Sequence, residues 1–347
     1  MSERRIVTVL ETEDEYTHEP DEASNYNESM YFNAFDLGRE VGGWFRLGNR
    51  VNEGHAEASV CTYLPGGRVG FTYQRPPVET NDEMNAGGLE ITVVEPFEHL
   101  RVTYSGFLCL LDEPRQMAEP RKAFEENPWV DAEVDLDIRR VAPVHGGRPV
   151  YEDGSEIEME AERSFAKAHY EQHCATTGSI RVDDEVLTVD GLGLRDHSWG
   201  PRYWQAIDWY RWLPMAFTED FAMTISDVGG RQGGMVLEGD EYHPIRSCTI
   251  DTDWDDDRYQ TAMRCTVDTD HDRYEVEGEV ISLIPLRNRR TTPDGDQLLT
   301  RITEAMTRYR CRGETGIGMS EYLDQIVDGV PLGAVDAGAD TGRGGSG

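Results

Sequence analysis

The chain reads as an all-β protein, two antiparallel β-barrels or sandwiches packed side by side. Three observations carry that reading. Apolar and polar residues alternate with period 2 over most of the length, in runs bounded by Gly, Pro, Asn and Asp, as strands with one buried face do. No stretch keeps a helical period beyond about three turns. And 347 residues are enough for two closed or sandwiched sheets of about 150 residues each.

Taken in order, residues 1–28 are acidic and weakly periodic, and are expected to form a mobile or edge-hugging arm. A first β-domain is expected over 29–185. Its strands begin with five alternating runs at 40–49, 56–64, 68–75, 88–96 and 100–111, and "PGG" at 65–67 joins the second run to the third as a hairpin turn. Residues 112–130, rich in Pro and Glu, interrupt the sheet, and "VDAEVDLDIRRV" at 130–141 resumes it. A second excursion runs over 142–166, and its "EIEMEAERSFAKAH" portion has the composition of a helix. Strands return at 169–180 and 185–200. A second β-domain is expected over 186–327, from runs at 204–217, 220–229, 233–239, 242–254, 259–269, 273–286 and 297–313. The Gly/Asp-rich end, 328–347, is expected to be disordered.

Charge narrows the function. There are 33 basic and 67 acidic residues, a formal net charge of −34. A surface of that sign repels phosphate backbones and anionic lipid, so nucleic acid is not an expected partner. Only Lys122 and Lys167 are lysines. Acid excess, scarce Lys and modest hydropathy together suggest adaptation to concentrated salt, where screening shortens to about 3 Å at 1 M and carboxylate repulsion is tolerable. The six cysteines are scattered without CxxC spacing and read as core thiols in a reducing compartment. The longest apolar runs are too short to span a bilayer, and no apolar leader follows the N-terminus, so a soluble cytoplasmic protein is expected.

One segment concentrates chemistry: "DGLGLRDHSWGPRYW", from Asp190 to Trp204. On an extended chain Arg195, His197 and Trp199 face one way, and Asp196, Ser198 and Gly200 the other. An Asp in an apolar, Trp-lined cavity has a raised pKa and can protonate an alkene, with Trp199, Trp204, Trp209 or Trp212 stabilising the cation. The same residues could equally form a structural clasp between domains. Two period-2 polar triads, Glu53–His55–Glu57 and His169–Glu171–His173, have the spacing of strand-borne metal ligands. They read better as a polar pocket lining or a solvated face, and no metal or cofactor is expected. Trp44, Tyr63, Phe71, Tyr73 and Tyr104 form aromatic rows that fill a barrel or line its ligand cavity. There is no phosphate-binding GxxxxGK[ST], no GxGxxG between strand and helix, and no GxSxG elbow, which sets aside kinase, dehydrogenase and hydrolase chemistry.

The Asp190–Trp204 segment, with "VGGWFRLGNRVNEGHAEASV" and "LPGGRVGFTY", resembles a group of two-domain, lipocalin-like (calycin) proteins related to the carotenoid 1,2-hydratases (hydroxyneurosporene synthases). The group is more distantly similar to lipocalin-like Diels–Alderases. The resemblance implies two lipocalin-like barrels, with Asp196 in the place of the acid that protonates a C=C bond. His197, Trp199, Gly200 and Arg202 match the same motif; no partner that activates water is matched. The expected function is therefore cofactor-free acid–base chemistry (hydratase, cyclase or isomerase) on an isoprenoid-like or steroid-like substrate. Asp196 and His197 would be catalytic; Trp199, Arg202, Trp204, Glu53, His55, Tyr104, Glu171 and His173 would bind substrate. The alternative is a non-catalytic lipid or isoprenoid carrier.

Overall fold

The computed structural model describes residues 4–157, 166–203, 207–291 and 297–334. Strands dominate it. They are β1 (Ile6–Val9), β2 (Tyr26–Asp36), β3 (Val41–Arg50), β4 (His55–Tyr63), β5 (Val69–Gln74), β6 (Met84–Ala86), β7 (Leu89–Glu95), β8 (His99–Leu111), β9 (Trp129–Arg140), β10 (His145–Tyr151), β11 (Ala168–Val182) and β12 (Glu185–Pro201). The second half supplies β13 (Trp209–Thr218), β14 (Phe221–Val228), β15 (Arg231–Glu238), β16 (Glu241–Trp254), β17 (Gln260–Thr269), β18 (Arg273–Thr291), β19 (Gln297–Cys311), β20 (Glu314–Val327) and β21 (Val330–Pro331). One α-helix, α1 (Pro120–Glu126), lies in the 112–130 interruption.

The first sheet runs β11-β12-β2-β3-β4-β5-β8 and closes through β9, which pairs with both β8 and β11. The second is a meander from β13 to β20, closed by the β13–β20 pairing. Both are thus eight-stranded antiparallel barrels, and closure removes the free edges that invite aggregation. Alternation fills each interior: Met30, Phe32, Phe45, Leu47 and Val60 belong to the first core, and Leu213, Met215, Met223, Ile225 and Tyr309 to the second. A third cluster joins outer faces: Phe35, Trp44, Tyr63 and Phe71 of the first barrel pack with Ile284, Met306, Ile317 and Met319 of the second. Tyr63 seals it by donating to the Glu304 carbonyl oxygen at 3.0 Å.

The expected 65–67 turn is present between β4 and β5, with Gly66 and Gly67 at φ 80° and 82°, a region costly for a side chain. Elsewhere the sequence reading needs correction. The boundary expected at 185/186 falls inside a hairpin: the Asp183–Asp184 break is the β11–β12 turn, and β12 belongs wholly to the first barrel. The chain crosses to the second barrel between Pro201 and Trp209. β2, β10 and β20 were not anticipated. Of the two forms expected for the N-terminal arm, mobile or edge-hugging, the structure has the second: β1 pairs with β10 at the sheet edge, and Glu15 is fully buried. The helix expected within 156–169 falls largely outside the described residues, and Ala168 onward is strand. Of the C-terminal segment, Val330–Pro331 pairs with β20, and 335–347 lie outside the described residues. All six cysteines are free and buried. Among the described residues no helix is long and apolar enough to cross a membrane.

Candidate functional site

A cavity of about 1120 Å³ lies between the outer faces of the two barrels. This differs from the expectation of a ligand inside one barrel; each interior is filled by its own apolar cluster. Cross-strand register builds the cavity floor. Glu171 on β11 stands opposite Asp196 on β12, Asp196 opposite Tyr31 on β2, Tyr31 opposite Arg46 on β3, and Arg46 opposite Ser59 on β4. One row of facing positions thus carries carboxylate, carboxylate, phenol and guanidinium, all lining the cavity. The second barrel answers with Glu304 on β19 opposite Glu321 on β20, and Glu321 opposite Trp212 on β13. Trp212 spans the gap, its indole N–H donating to Glu171 at 2.9 Å and its ring edge-on to Tyr31 at 5.6 Å.

Electrostatics divides these acids into two kinds. His169 Nε2 lies 2.5 Å from Asp196 Oδ2. Burial disfavours charge on both, but their mutual attraction prevails: His169 is raised to about 9 and Asp196 lies below the usual carboxylate range. The neutral Asp196 expected from sequence is therefore corrected, because an imidazolium sits against it. Glu171, pushed up by burial and by the Asp196 charge, reaches about 7. Burial and the facing Glu321 carboxylate push Glu304 well above the normal range, and burial raises Glu321 as well. The two carboxyls are coupled, and the pressure toward the protonated form falls on both. Tyr210 donates to Glu321, and Glu304 Oε2 is buried without a hydrogen-bond partner. The His145 Nε2 is likewise buried, 3.5 Å from Glu171 Oε2.

The alternate residues of β12 do something different. Arg195 makes a two-pronged ion pair with Glu15 at 2.5 and 2.8 Å, and its Nε donates to Gln172 at 2.7 Å. His197 meets Glu28 at 2.9 Å and the Tyr170 hydroxyl at 3.0 Å. Trp199 stacks on His18, ring centroids 3.9 Å apart. This face pins the N-terminal segment against the first barrel. The Asp190–Trp204 stretch is thus both things weighed above, a clasp on one face and a cavity wall on the other. Its glycines serve close strand approach: a Cβ at Gly193 would meet the Asn33 carbonyl oxygen at 1.8 Å.

Of the residues given a catalytic or substrate-binding role at the end of the sequence reading, Asp196, Arg202 and Glu171 line the cavity, and so do Glu57 and His169 of the polar triads, Trp44, Phe71 and Tyr73 of the aromatic rows, and Trp212. His197 and Trp199 do not; they point to the clasp, so His197 does not relay a proton for Asp196. Tyr104 belongs to the first barrel's core, its hydroxyl bonded to the Phe107 carbonyl. Glu53 sits in the turn before β4, paired with Arg50 at 2.6 Å, with His55 beside it. His173 is buried against the Tyr242 hydroxyl at 3.1 Å. Trp204 falls outside the described residues. Sequence reasoning passed over Tyr31, Arg46, His145, Glu304 and Glu321. Glu304 and Glu321 alternate with core residues, as solvated acids also do, so nothing in the local pattern marked them.

His169, Glu171 and Asp196 place donor atoms within 4.8 Å of one another, as do His18, Glu28 and His197. In the first set the 2.5 Å His169–Asp196 separation is that of a charge-assisted hydrogen bond. Ligands sharing a tetrahedral zinc with bonds of about 2.0 Å sit about 3.3 Å apart. The present arrangement is an ion pair.

The profile of a family described as a domain of unknown function (DUF7064) matches residues 11–326, and the chain belongs to that family. No curated protein matches the sequence. Three solved structures share the architecture. A protein assigned as AttH from Nitrosomonas europaea has 11% identity and a TM-score of 0.59, covering 91% of this chain and 96% of its own. CghA, solved with Sch210972, has 11% identity and a TM-score of 0.53, covering 87% and 89%. Kievitone hydratase from Nectria haematococca has 7% identity and a TM-score of 0.50, covering 91% and 92%. At these identities the likeness is one of fold.

Proposed function

We propose that this member of the DUF7064 family is an enzyme moving a proton at a carbon–carbon double bond of a largely apolar, isoprenoid-like or steroid-like substrate. Hydration, its reverse, cyclisation and double-bond migration would all use the same parts. One observation carries the reading: a buried carboxyl pair, Glu304 and Glu321, faces Glu171 and the Asp196–His169 ion pair across an aromatic cavity. Glu304, kept protonated by burial beside another carboxylate, is the general acid. Its proton goes to one alkene carbon, and the π-faces of Trp212, Trp44 and Tyr31 stabilise the cation at the other. Glu171, with a pKa of about 7, is matched to a general base at neutral pH. In hydration it takes the proton of an attacking water as the C–O bond forms; in migration it takes a proton from carbon. Asp196 and His169 orient that base and hold the floor. The fold shared with a hydratase agrees with this reading, although folds of this kind host binders too.

The test is isotopic and needs no prior substrate. Lipid extract from the source cell is incubated with the protein in D2O and, separately, in H2¹⁸O, and analysed by mass spectrometry. Wild type should label one component, and Glu304→Gln should abolish labelling while retaining the bound lipid. A bound lipid that never labels would sink the catalytic reading and leave a carrier, which needs the apolar walls but no proton donor.

A further inference from the structure

The "VHGGRP" run at 144–149 sets a histidine beside the proposed base. Gly146 has φ 102°, and a Cβ there would meet the His169 carbonyl oxygen at 2.5 Å, so glycine is what lets β10 lie close along β11. His145 then stands directly across from Glu171 in the β10–β11 register, and both line the cavity. The two Glu171 oxygens are used differently. Oε1 accepts the Trp212 indole N–H at 2.9 Å; Oε2 is turned to His145 Nε2, 3.5 Å away with no hydrogen bond between them. Burial, with His173 and His169 nearby, lowers His145 to about 3, so the ring is neutral and brings no charge to the pair. Tyr242 of the second barrel packs edge-on against it, ring centroids 4.8 Å apart, with its hydroxyl bonded to His173. The neighbouring charged groups are already matched: His169 with Asp196, Arg46 and Arg75 with Glu57, and Arg287 with Glu119. A buried ring nitrogen without a partner is costly, and a bound water is the usual remedy.

We infer that His145 holds the attacking water together with Glu171: one water hydrogen goes to Glu171 Oε2 and the other to His145 Nε2, which leaves the oxygen lone pairs facing the substrate. The inference rests on the catalytic reading and narrows it to hydration. Glu304 gives its proton to one alkene carbon, the π pair forming the C–H bond. A water lone pair forms the C–O bond to the other carbon, and the hydrogen held by Glu171 passes to that carboxylate. One water has then been added across the C=C bond, and proton return from Glu171 to Glu304 through solvent restores the site. Two bonds of about 2.8 Å to one water need acceptors about 4.4 Å apart, so the imidazole swings by roughly 1 Å as water enters. Without His145 the water is poorly placed, and the cation instead loses a proton to Glu171, giving exchange or double-bond migration.

Lipid extract from the source cell, incubated with the full chain in D2¹⁸O, reads both steps in one product by mass spectrometry. Wild type should give a component carrying carbon-bound deuterium and ¹⁸O together, absent from extract without protein. His145→Phe keeps a ring against Tyr242 but has no nitrogen, and should lower the ratio of ¹⁸O to deuterium by about ten-fold or more. His145→Gln, whose side-chain oxygen accepts from water, should recover part of that ratio. A role in packing alone would change the total yield and leave the ratio as it is. If His145→Phe does not fold, His145→Leu takes its place. Deuterium without ¹⁸O in the wild-type product, or a ratio that the loss of both ring nitrogens leaves unchanged, would overturn the inference while the catalytic reading stands. No label from wild type would sink that reading, and the inference with it.

Discussion

Replacing Glu15 by Gln removes one partner of a pair that is almost completely enclosed. Arg195 is 2% exposed and Glu15 0%. Besides the two bonds to Arg195, Glu15 accepts from the Phe97 N–H at 2.8 Å and from the Tyr170 hydroxyl at 3.3 Å. Glu15→Gln therefore strands a guanidinium in an interior where no neighbouring group can replace the lost charge. Breaking such a buried pair costs about 3–5 kcal/mol, which for domains of this size lowers Tm by roughly 6–20 °C. Thermal unfolding in 2 M KCl, followed by near-UV circular dichroism, reads the shift directly. The companion double variant, Glu15→Leu with Arg195→Met, removes both charges and should recover most of the loss. A single variant within about 2 °C of wild type would refute the clasp, because the cost follows from the burial alone.

Glu304→Gln should reduce turnover by about 10²–10⁴, the usual contribution of a positioned acid, with ligand affinity unchanged by calorimetry. His169, raised to about 9 by Asp196, contributes stability that is complete below pH 6.5 and lost as pH rises toward 9. The stability difference between wild type and His169→Gln should therefore shrink across that window in urea titrations. Glu28 behaves oppositely: burial would raise it, but hydrogen bonds from His18 and His197 hold it at about 2. Its contribution, about 3 kcal/mol, is present above pH 4.5 and disappears between 4.5 and 2, so a Glu28→Gln variant should converge on wild type only in acid. Finally, with a net charge of −34, the protein should lose structure in dilute buffer and regain it in molar KCl; full stability without salt would count against adaptation to brine.

Period-2 alternation made the barrels legible, because a barrel wall has one apolar face whatever its partner. It could not show where one barrel stops. β11 and β12 form a hairpin whose polar turn at Asp183–Asp184 looks the same as a seam. Alternation also gave the two faces of the Arg195–Gly200 run, and the structure puts Asp196 opposite Arg195 and His197. What it could not give was which face meets the other barrel, since that depends on residues more than a hundred positions away: Trp212 for Glu171, Glu304 for Tyr63. Asp196 was read as neutral because its Trp neighbours in sequence were taken as its neighbours in space. Its real neighbour, His169, lies across a strand pair. The carboxyl pair stayed hidden for a plainer reason: in so acidic a chain, one more Glu on an outward strand face carries no signal.

Each barrel closes on itself and keeps its own core, and the cavity belongs to neither. The carboxyls proposed as acid stand on β19 and β20, the one proposed as base stands on β11, and Trp212 of the second barrel bonds to Glu171 of the first. The arrangement is that of a two-subunit interface written into one polypeptide. Such a site exists only while the halves are in register, so its geometry is set by docking rather than by folding. Expressed separately, the halves should each remain β-barrels, yet chemistry should return only on mixing, and then as a function of concentration that the tethered chain never shows.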